Sequence, residues 1–264
     1  MDFNEQALTN RLSGRYIGNG IRFFDETEST NDIAFSLALG GAPEGTVVIA
    51  DRQTKGKGRM KRVWQSPPNC NLYTSIILRP QTDPVSTAQI PLMTGVAAAE
   101  VLSRYCFSDV TLKWPNDVQI RGKKICGILT EMRASEGPRV NFVIVGIGIN
   151  INIKKEDFDE SFREISTSLK EETGKEVSRL DFAVEFYDYF EKWYRTWVKK
   201  GFEPIRGAWL AYSSMIGKQV QVVFQGDVRT GEVHGIDEYG ALLLQDENGI
   251  IKRIMAGDAT VIRH

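Results

Sequence analysis

Between Lys55 and Trp64 the chain reads KGKGRMKRVW: five formal positive charges, two glycines and no acidic residue. Gly56 and Gly58 alternate with Lys57 and Arg59, so the backbone can bend closely round an anion while the side chains reach it. A run of Lys and Arg is most often a solvated loop. This one follows the apolar stretch GTVVIAD (45–51), and ligand-contacting loops tend to begin where sheet strands end. The order G-x-x-x-x-G-K-[ST] is absent, so the segment is not a standard phosphate-binding loop. A second polar group lies in KWPNDV (113–118). Pro115-Asn116-Asp117 alone is turn punctuation. Lys113 stands before it, however, and Lys124 follows the next apolar stretch, so Lys, Asn, Asp and Lys can converge at one end of a hairpin. The only histidines are His234 and His264, which leaves no histidine-centred triad or metal site. Any chemistry must rest on Lys, Arg, Asp, Asn and backbone groups.

Two weaker signals accompany these. In ESTND (28–32) Ser29 precedes Asp32 by three residues, the spacing of a capping box with Asp in place of the usual Glu or Gln. In GIGIN (146–150) glycines inside a strand pattern permit close backbone approach or mark a bulge.

The elements that must position these residues follow from periodicity and punctuation. Helices are expected over Glu5–Leu12, from STN to Gly40-Gly41, and over Ala88–Tyr105. Strands are expected over Gly45–Asp51, Asn71–Leu78, Val110–Trp114, Asp117–Ile120, Ile125–Met132 and Val140–Asn152, with Arg121–Lys124 as the hairpin between the fourth and fifth. Asp157 to Gly201 reads as mostly helical. From Gly217 the texture changes to about five short strands with turn signals every eight to twelve residues, which fits a small closed or half-closed barrel. The short join near Ser213–Gly217 implies that the two domains, 1–214 and 215–264, touch.

Composition narrows the class. Of 264 residues, 42% are hydrophobic and 25% charged, ordinary values for a globular protein with one large core and a small second domain. Lys and Arg total 33 against 34 Asp and Glu, a net charge of -1, so any basic site is local. The N-terminus lacks the pattern of a secretory signal. Cys70, Cys106 and Cys126 are widely spaced, which argues for thiols in a reducing compartment, and so for the cytoplasm, rather than a disulfide frame or zinc site.

Taken in order, ESTN, QTKGKGRMKRVW, KWPNDV, KKICGILTE and GIGIN resemble the biotin protein ligase family in sequence and spacing, over about Glu28 to Asn152. The stretch after Gly217, with GALLL and AGDATVIR, is similar to that family's C-terminal SH3-like module. The resemblance implies an α+β fold: a central mixed sheet with flanking helices, like class II aminoacyl-tRNA synthetases, plus the small SH3-like barrel. It implies an enzyme that makes biotinoyl-adenylate from biotin and ATP with Mg²⁺, then transfers biotin to one lysine of a biotin carboxyl carrier protein such as that of acetyl-CoA carboxylase. By motif position it puts Ser29, Thr30, Asn31, Gln53, Gly56, Lys57, Gly58, Arg59, Lys124 and Gly127 at biotin. It puts Arg59, Arg62, Trp64, Asn116, Asp117, Lys124 and Asn150 at ATP. Lys124, Arg59 and Asp117 are the implied catalytic groups, and no residue is singled out as the Mg²⁺ ligand. The family loop usually reads G-R-G-R-x-G-R; here Lys57 replaces an Arg and Lys61 a Gly.

Only 28 residues precede Ser29, too few for the winged-helix domain that makes some family members repressors, so the resemblance is to the monofunctional class and no DNA partner is expected; no apolar run approaches the roughly 18 residues a membrane span needs, so no membrane partner is expected either. A homodimer is compatible with it. A lipoate–protein ligase is the nearest enzymatic rival, and a nucleic-acid module the main alternative outside enzymes; KWPND and GKGR favour biotin, and the balanced charge argues against nucleic acid. The basic segment is then a lid, held open by repulsion among its cations and ordered by an anionic ligand.

Overall fold

A computed structural model describes residues 3–106 and 109–262. Its organisation follows from the two-residue period of one strand. In β7 (Val140–Ile149) Val143, Val145, Ile147 and Ile149 enter the main core, whereas Phe142 and Ile144 enter a second, smaller cluster on the opposite face. Gly146 and Gly148 continue that second face without side chains.

Around β7 lie β1 (Gly20–Thr27), β2 (Thr46–Gln53), β3 (Leu72–Leu78), β4 (Val110–Lys113), β5 (Asp117–Ile120) and β6 (Lys123–Ala134). They form a seven-stranded sheet in the order β1-β2-β3-β7-β6-β5-β4. Only β1 and β2 run parallel; the other neighbours are antiparallel. The mixed α+β expectation therefore holds. Helix α1 (Glu5–Leu12) abuts β1, and α2 (Thr30–Leu39) covers β2, β3 and β7 on the second face. On the core face lie α3 (Gln89–Tyr105), a short α4 (Leu169–Thr173), α5 (Arg179–Lys200) and α6 (Glu203–Tyr212). The apolar α3 is a core helix, packed between α5, α6 and β4–β6. In α5, Phe186, Phe190, Tyr194 and Trp197 recur every three or four residues and are buried, so one stripe of the helix seals the core. Their rings follow one another at 6.1, 6.3 and 6.0 Å.

One strand was missed, one helical expectation fails and one hairpin bound shifts. Strand β1 was not anticipated: it is an edge strand whose charges and intermediate burial hide the alternation. The stretch 158–168 is not helical but an irregular strap leading into α4. Ser168 caps α4 through Glu171 N, and Gly174 ends it in the left-handed region. The turn between β5 and β6 is Arg121-Gly122, both with positive φ (51° and 76°), so Lys123 and Lys124 already belong to β6.

The C-terminal part is a five-stranded antiparallel sheet: β8 (Gln219–Phe224), β9 (Asp227–Ile236), β10 (Leu242–Gln245), β11 (Ile251–Ile254) and β12 (Asp258–Val261), in the order β11-β10-β9-β8-β12. It touches the larger domain, as its short join implied. Trp114 Nε1 donates to Gly240 O at 3.0 Å. Gln89 Nε2 donates to Glu238 O and accepts from Trp197 Nε1 through its oxygen, so one side chain ties α3, α5 and the C-terminal sheet.

Phe190→Ala should destabilise the protein by about 3–5 kcal/mol, because it empties a fully buried site between two other rings. Urea unfolding with an unchanged slope is the measurement.

Candidate active site

Cross-strand register clears the floor of a cleft. On the face opposite the main core, Gly127 of β6 faces Gly148 of β7, Leu129 faces Gly146, and Asp117 of β5 faces Gly127. From the other side, Tyr73 and Ser75 of β3 face the same two β7 glycines. A Cβ on Gly148 would lie 2.4 Å from the Trp64 indole, and one on Gly127 2.8 Å from it; a Cβ on Gly146 would lie 2.1 Å from Asn31 Oδ1. The three glycines let two side chains rest directly on sheet backbone.

The cleft above this floor has a volume of about 1130 Å³, at the upper end of the range of roughly 300–1,000 Å³ for small-molecule sites, so it can hold two substrates end to end. Ser29, Thr30, Asn31 and Gln53 line it on the β3 side; Lys124, Gly127, Asn116, Asp117 and Asn150 line it over β5–β7. Lys57, Gly58, Arg59, Arg62 and Trp64 complete the wall. Gly56 is the exception among the expected residues. It does not line the cleft; it packs inside its own loop, where a Cβ would lie 2.3 Å from Trp64 O. Ser29 is the N-cap residue of α2 but makes no side-chain cap bond, so the capping-box reading does not hold. Trp64 lies on the glycine floor, and its Nε1 is buried without an acceptor.

Lys124 is held from both sides. Its backbone N–H donates to Ile165 O at 2.8 Å, and its carbonyl accepts from Thr167 N at 2.9 Å. Residues 165–167 of the 158–168 strap leave their backbone groups free to bracket a strand end, with Ser166 bridging Lys124, whereas a helix would have spent those groups internally. The Nζ lies 2.6 Å from Asp117 Oδ1 and 5.4 Å from the centre of the Trp64 ring. The contact with Asp117 is an ion pair rather than an aligned hydrogen bond, since Oδ1 has no hydrogen-bond donor. Asn116 is fixed by Ile128, whose carbonyl accepts from its Nδ2 at 2.7 Å and whose N–H donates to its carbonyl at 3.1 Å.

The basic loop is a tight hairpin. Lys57 bridges Val63, Gly58 N donates to Arg62 O at 2.7 Å, and Met60 and Lys61 turn the chain with φ of 53° and 61°. A left-handed non-glycine residue costs roughly 1–2 kcal/mol, and Lys61 bears it where the family pattern has Gly. Repulsion among the five cations is largely cancelled within the protein, contrary to the expectation that only a ligand would do so. Lys55 pairs with Glu28, Lys57 with Asp32, and Arg59 and Arg62 share Asp258 at the start of β12. Arg59 Nη1 lies 3.3 Å from Asp258 Oδ1 and donates to Asn116 Oδ1 at 3.3 Å, while Nη2 donates to Gly257 O at 3.2 Å. Burial pulls the Arg59 guanidinium below its ordinary value, and Asp258 and Asp117 oppose that pull; it stays charged. Asp258 lies in AGDATVIR, quoted above for the C-terminal module; its pairing with the basic loop is what sequence reasoning missed.

Comparison with known proteins agrees with this geometry. Residues 23–150 match the biotin/lipoate A/B protein ligase family, and residues 215–261 match the biotin protein ligase C-terminal domain. The chain is 38% identical over 255 residues to the bifunctional ligase/repressor BirA of Bacillus spizizenii, covering 97% of this chain and 78% of that protein. It is 34% identical to the biotin–[acetyl-CoA-carboxylase] ligase of Paracoccus denitrificans, over 84% of this chain and 93% of that one. The biotin protein ligase of Aquifex aeolicus in complex with biotin and ATP superposes with a TM-score of 0.79 at 30% identity, covering 93% of this chain and 99% of that one. Sheet, cleft and these matches define a ligase of the biotin/lipoate class. Within that class, the chain belongs to the biotin protein ligase family.

Asp258→Ala should release Arg59 and Arg62 and loosen the hairpin. Limited trypsinolysis without ligand should cut within 55–62 several-fold faster, while global stability falls by under about 1 kcal/mol, since the pair is partly solvated. An unchanged cleavage rate would show that Asp258 does not restrain the loop.

Proposed function

We propose that this chain joins biotin to AMP and then passes the biotinoyl group to one lysine of a biotin carboxyl carrier protein, the acetyl-CoA carboxylase carrier or a relative of it. The observation that carries this reading is a single cleft in which Lys124 stands between a polar end, Ser29–Asn31 with Gln53, and a cationic end, Arg59 with Asn116 and Asp117. The polar end takes the biotin ring. The cationic end takes ATP.

In the first step a carboxylate oxygen of biotin attacks the α-phosphorus and pyrophosphate leaves. Both reactants are anionic, so the barrier includes bringing two negative charges together. Lys124 and Arg59 offset that charge from fixed positions in a site partly closed to water, where such groups act most strongly. Asp117 moderates Lys124, and the backbone clamp on Lys124 keeps its Nζ over the cleft floor. In the second step the carrier amine attacks the acyl carbon, AMP departs, and the amine gives up a proton. An ordinary lysine, with pKa about 10.4, is neutral in only about one molecule in several thousand at pH 7. Asp117, the carboxylate beside Lys124, is placed to accept that proton. Trp64 and the hairpin above the floor exclude water from the mixed anhydride.

Mg²⁺ fits as a guest of the nucleotide. Among the described residues no cluster of three or more His, Cys, Asp or Glu could hold a metal alone. Mg²⁺ is commonly held by one or two carboxylates plus substrate phosphates, and Asp117 would be such a carboxylate. Bound there, the ion would neutralise phosphate oxygens. The reading places the protein in the cytoplasm, with its carrier.

Incubation with ATP, Mg²⁺ and either biotin or lipoate should yield the biotinoyl-adenylate by mass and no lipoyl-adenylate. Lys124→Ala should reduce pyrophosphate release by at least about a hundredfold, the scale of losing a fixed charge at a developing oxyanion. Near-normal release by that variant would remove Lys124 from the mechanism. Biotin with ATP should also slow tryptic cleavage within 55–62 much more than ATP alone.

A further inference from the structure

At the polar end of the cleft a chain of hydrogen bonds runs out of the site to a carboxylate that does not line it. Asn31 Nδ2 donates to Glu131 Oε2 at 2.6 Å and lies 3.4 Å from Leu129 O. Asn31 Oδ1 is 2.7 Å from Ser75 Oγ, which is 2.8 Å from Thr30 Oγ1. Thr30 Oγ1 is 3.1 Å from Gln53 Oε1, which also accepts from the Thr30 N–H at 2.9 Å. Gln53 Nε2 donates to Ser66 Oγ at 3.0 Å, and Ser66 donates to Trp64 O at 3.1 Å. Ser75, Thr30 and Asn31 are all buried.

Counting protons fixes the directions at Asn31, Ser75 and Gln53. A carboxylate and a peptide carbonyl can only accept, so the Asn31 amide must turn its NH₂ to Glu131 and its oxygen to Ser75. The oxygen cannot donate, so the one Ser75 proton goes to Asn31. Toward Thr30, Ser75 can then only accept. At the other end Ser66 has spent its proton on Trp64 O, so Gln53 must give it an N–H and keep Oε1 for Thr30. Thr30 therefore stands between two acceptors and its single proton stays inside the network. What it presents to the cleft is lone pairs.

We propose that Glu131 is a positioning residue for biotin recognition: through Asn31 and Ser75 it holds Thr30 as a hydrogen-bond acceptor, so that this end of the cleft selects a ligand ring that offers an N–H. This rests on the assignment of the Ser29–Asn31 end to biotin, whose ureido ring carries two N–H groups. Without the Glu131 acceptor, only the long 3.4 Å contact to Leu129 O holds the Asn31 amide, which can then turn over and donate to Ser75. Ser75 then points its proton at Thr30 and occupies a lone pair that the ligand needs. An unmade bond to a buried polar group is what makes such a reversal costly.

The test measures KM for biotin and for ATP by pyrophosphate release. Glu131→Met, with Glu131→Ala beside it so that a folding failure in one leaves the other, should raise the biotin KM about tenfold or more and leave the ATP KM within twofold. Glu131→Gln keeps an acceptor oxygen for Asn31 and should restore the biotin KM. Ser75→Ala disconnects Thr30 from Asn31 while Gln53 still takes the Thr30 proton. In that background, replacing Glu131 should cause no further rise, because coupled residues are not additive. An unchanged biotin KM in Glu131→Met, failure of Glu131→Gln to restore it, a parallel rise in ATP KM, or an equal loss in the Ser75→Ala background would each overturn the proposal in favour of a purely structural Glu131. Thr30→Val separates the two levels. If it leaves the biotin KM unchanged, the assignment of this end to biotin fails; if it raises the KM while the Glu131 variants stay silent, only the relay fails.

Discussion

A β-sheet can floor a ligand site only where its side chains are missing, and here that constraint falls on Gly127, Gly146 and Gly148. The first and last face each other across β6 and β7, and each of the three would drive a Cβ into Trp64 or Asn31. Glycine weakens a strand by roughly 0.5–1 kcal/mol relative to alanine. The loss is offset from the other side of the same strands, where Cys126, Ile128, Ile147 and Ile149 are buried in the main core. One face of β6 and β7 supplies stability and the other is kept bare for chemistry. The indole, Lys124 and the polar relay all take their positions from that bareness.

Rigidity around Lys124 comes from backbone rather than from side-chain packing. The strap gives it two hydrogen bonds, and deeper support comes from Asn150 and Asn71. Asn150 Nδ2 donates to Thr167 O at 3.1 Å, and Asn71 Oδ1 accepts from Ile151 N at 2.9 Å. A long flexible side chain is thereby anchored at its root, leaving only its own rotamers to settle.

Much of this was legible in the sequence, for a definite reason. KWPNDV and GIGIN are weak signals singly, but they fall in order with ESTN, the basic loop and KKICGILTE, and that order carried the resemblance. The glycines of GIGIN allowed either a close backbone approach or a bulge, and the structure shows the close approach. What stayed hidden depends on the third dimension. The 158–168 strap has ordinary helical composition, and only the exposed backbone of Lys124 overrides it. Glu131 meets Asn31 across 100 residues, and Asp258 meets a loop in the other domain; both lie in motifs that carry the resemblance, KKICGILTE and AGDATVIR, but nothing local names their partners. Strand β1 was missed because an edge strand needs apolar residues at fewer positions. Ser29 looked like a cap and is instead part of a pocket wall, because cap chemistry and ligand chemistry use the same residue types.

The pairing of Arg59 and Arg62 with Asp258 also bears on how such proteins can be recombined. The two domains fold as separate sheets, and their short join looks like a natural place to cut and splice. Yet the loop and the start of β12 complete one another's charge, and Arg59 spans Asn116 and Gly257 in a single guanidinium. A graft of the C-terminal sheet from a relative would thus inherit half of an electrostatic lock. The heritable unit is not the domain but the pair of segments, 56–62 with 257–258, and a working hybrid has to take both from the same parent.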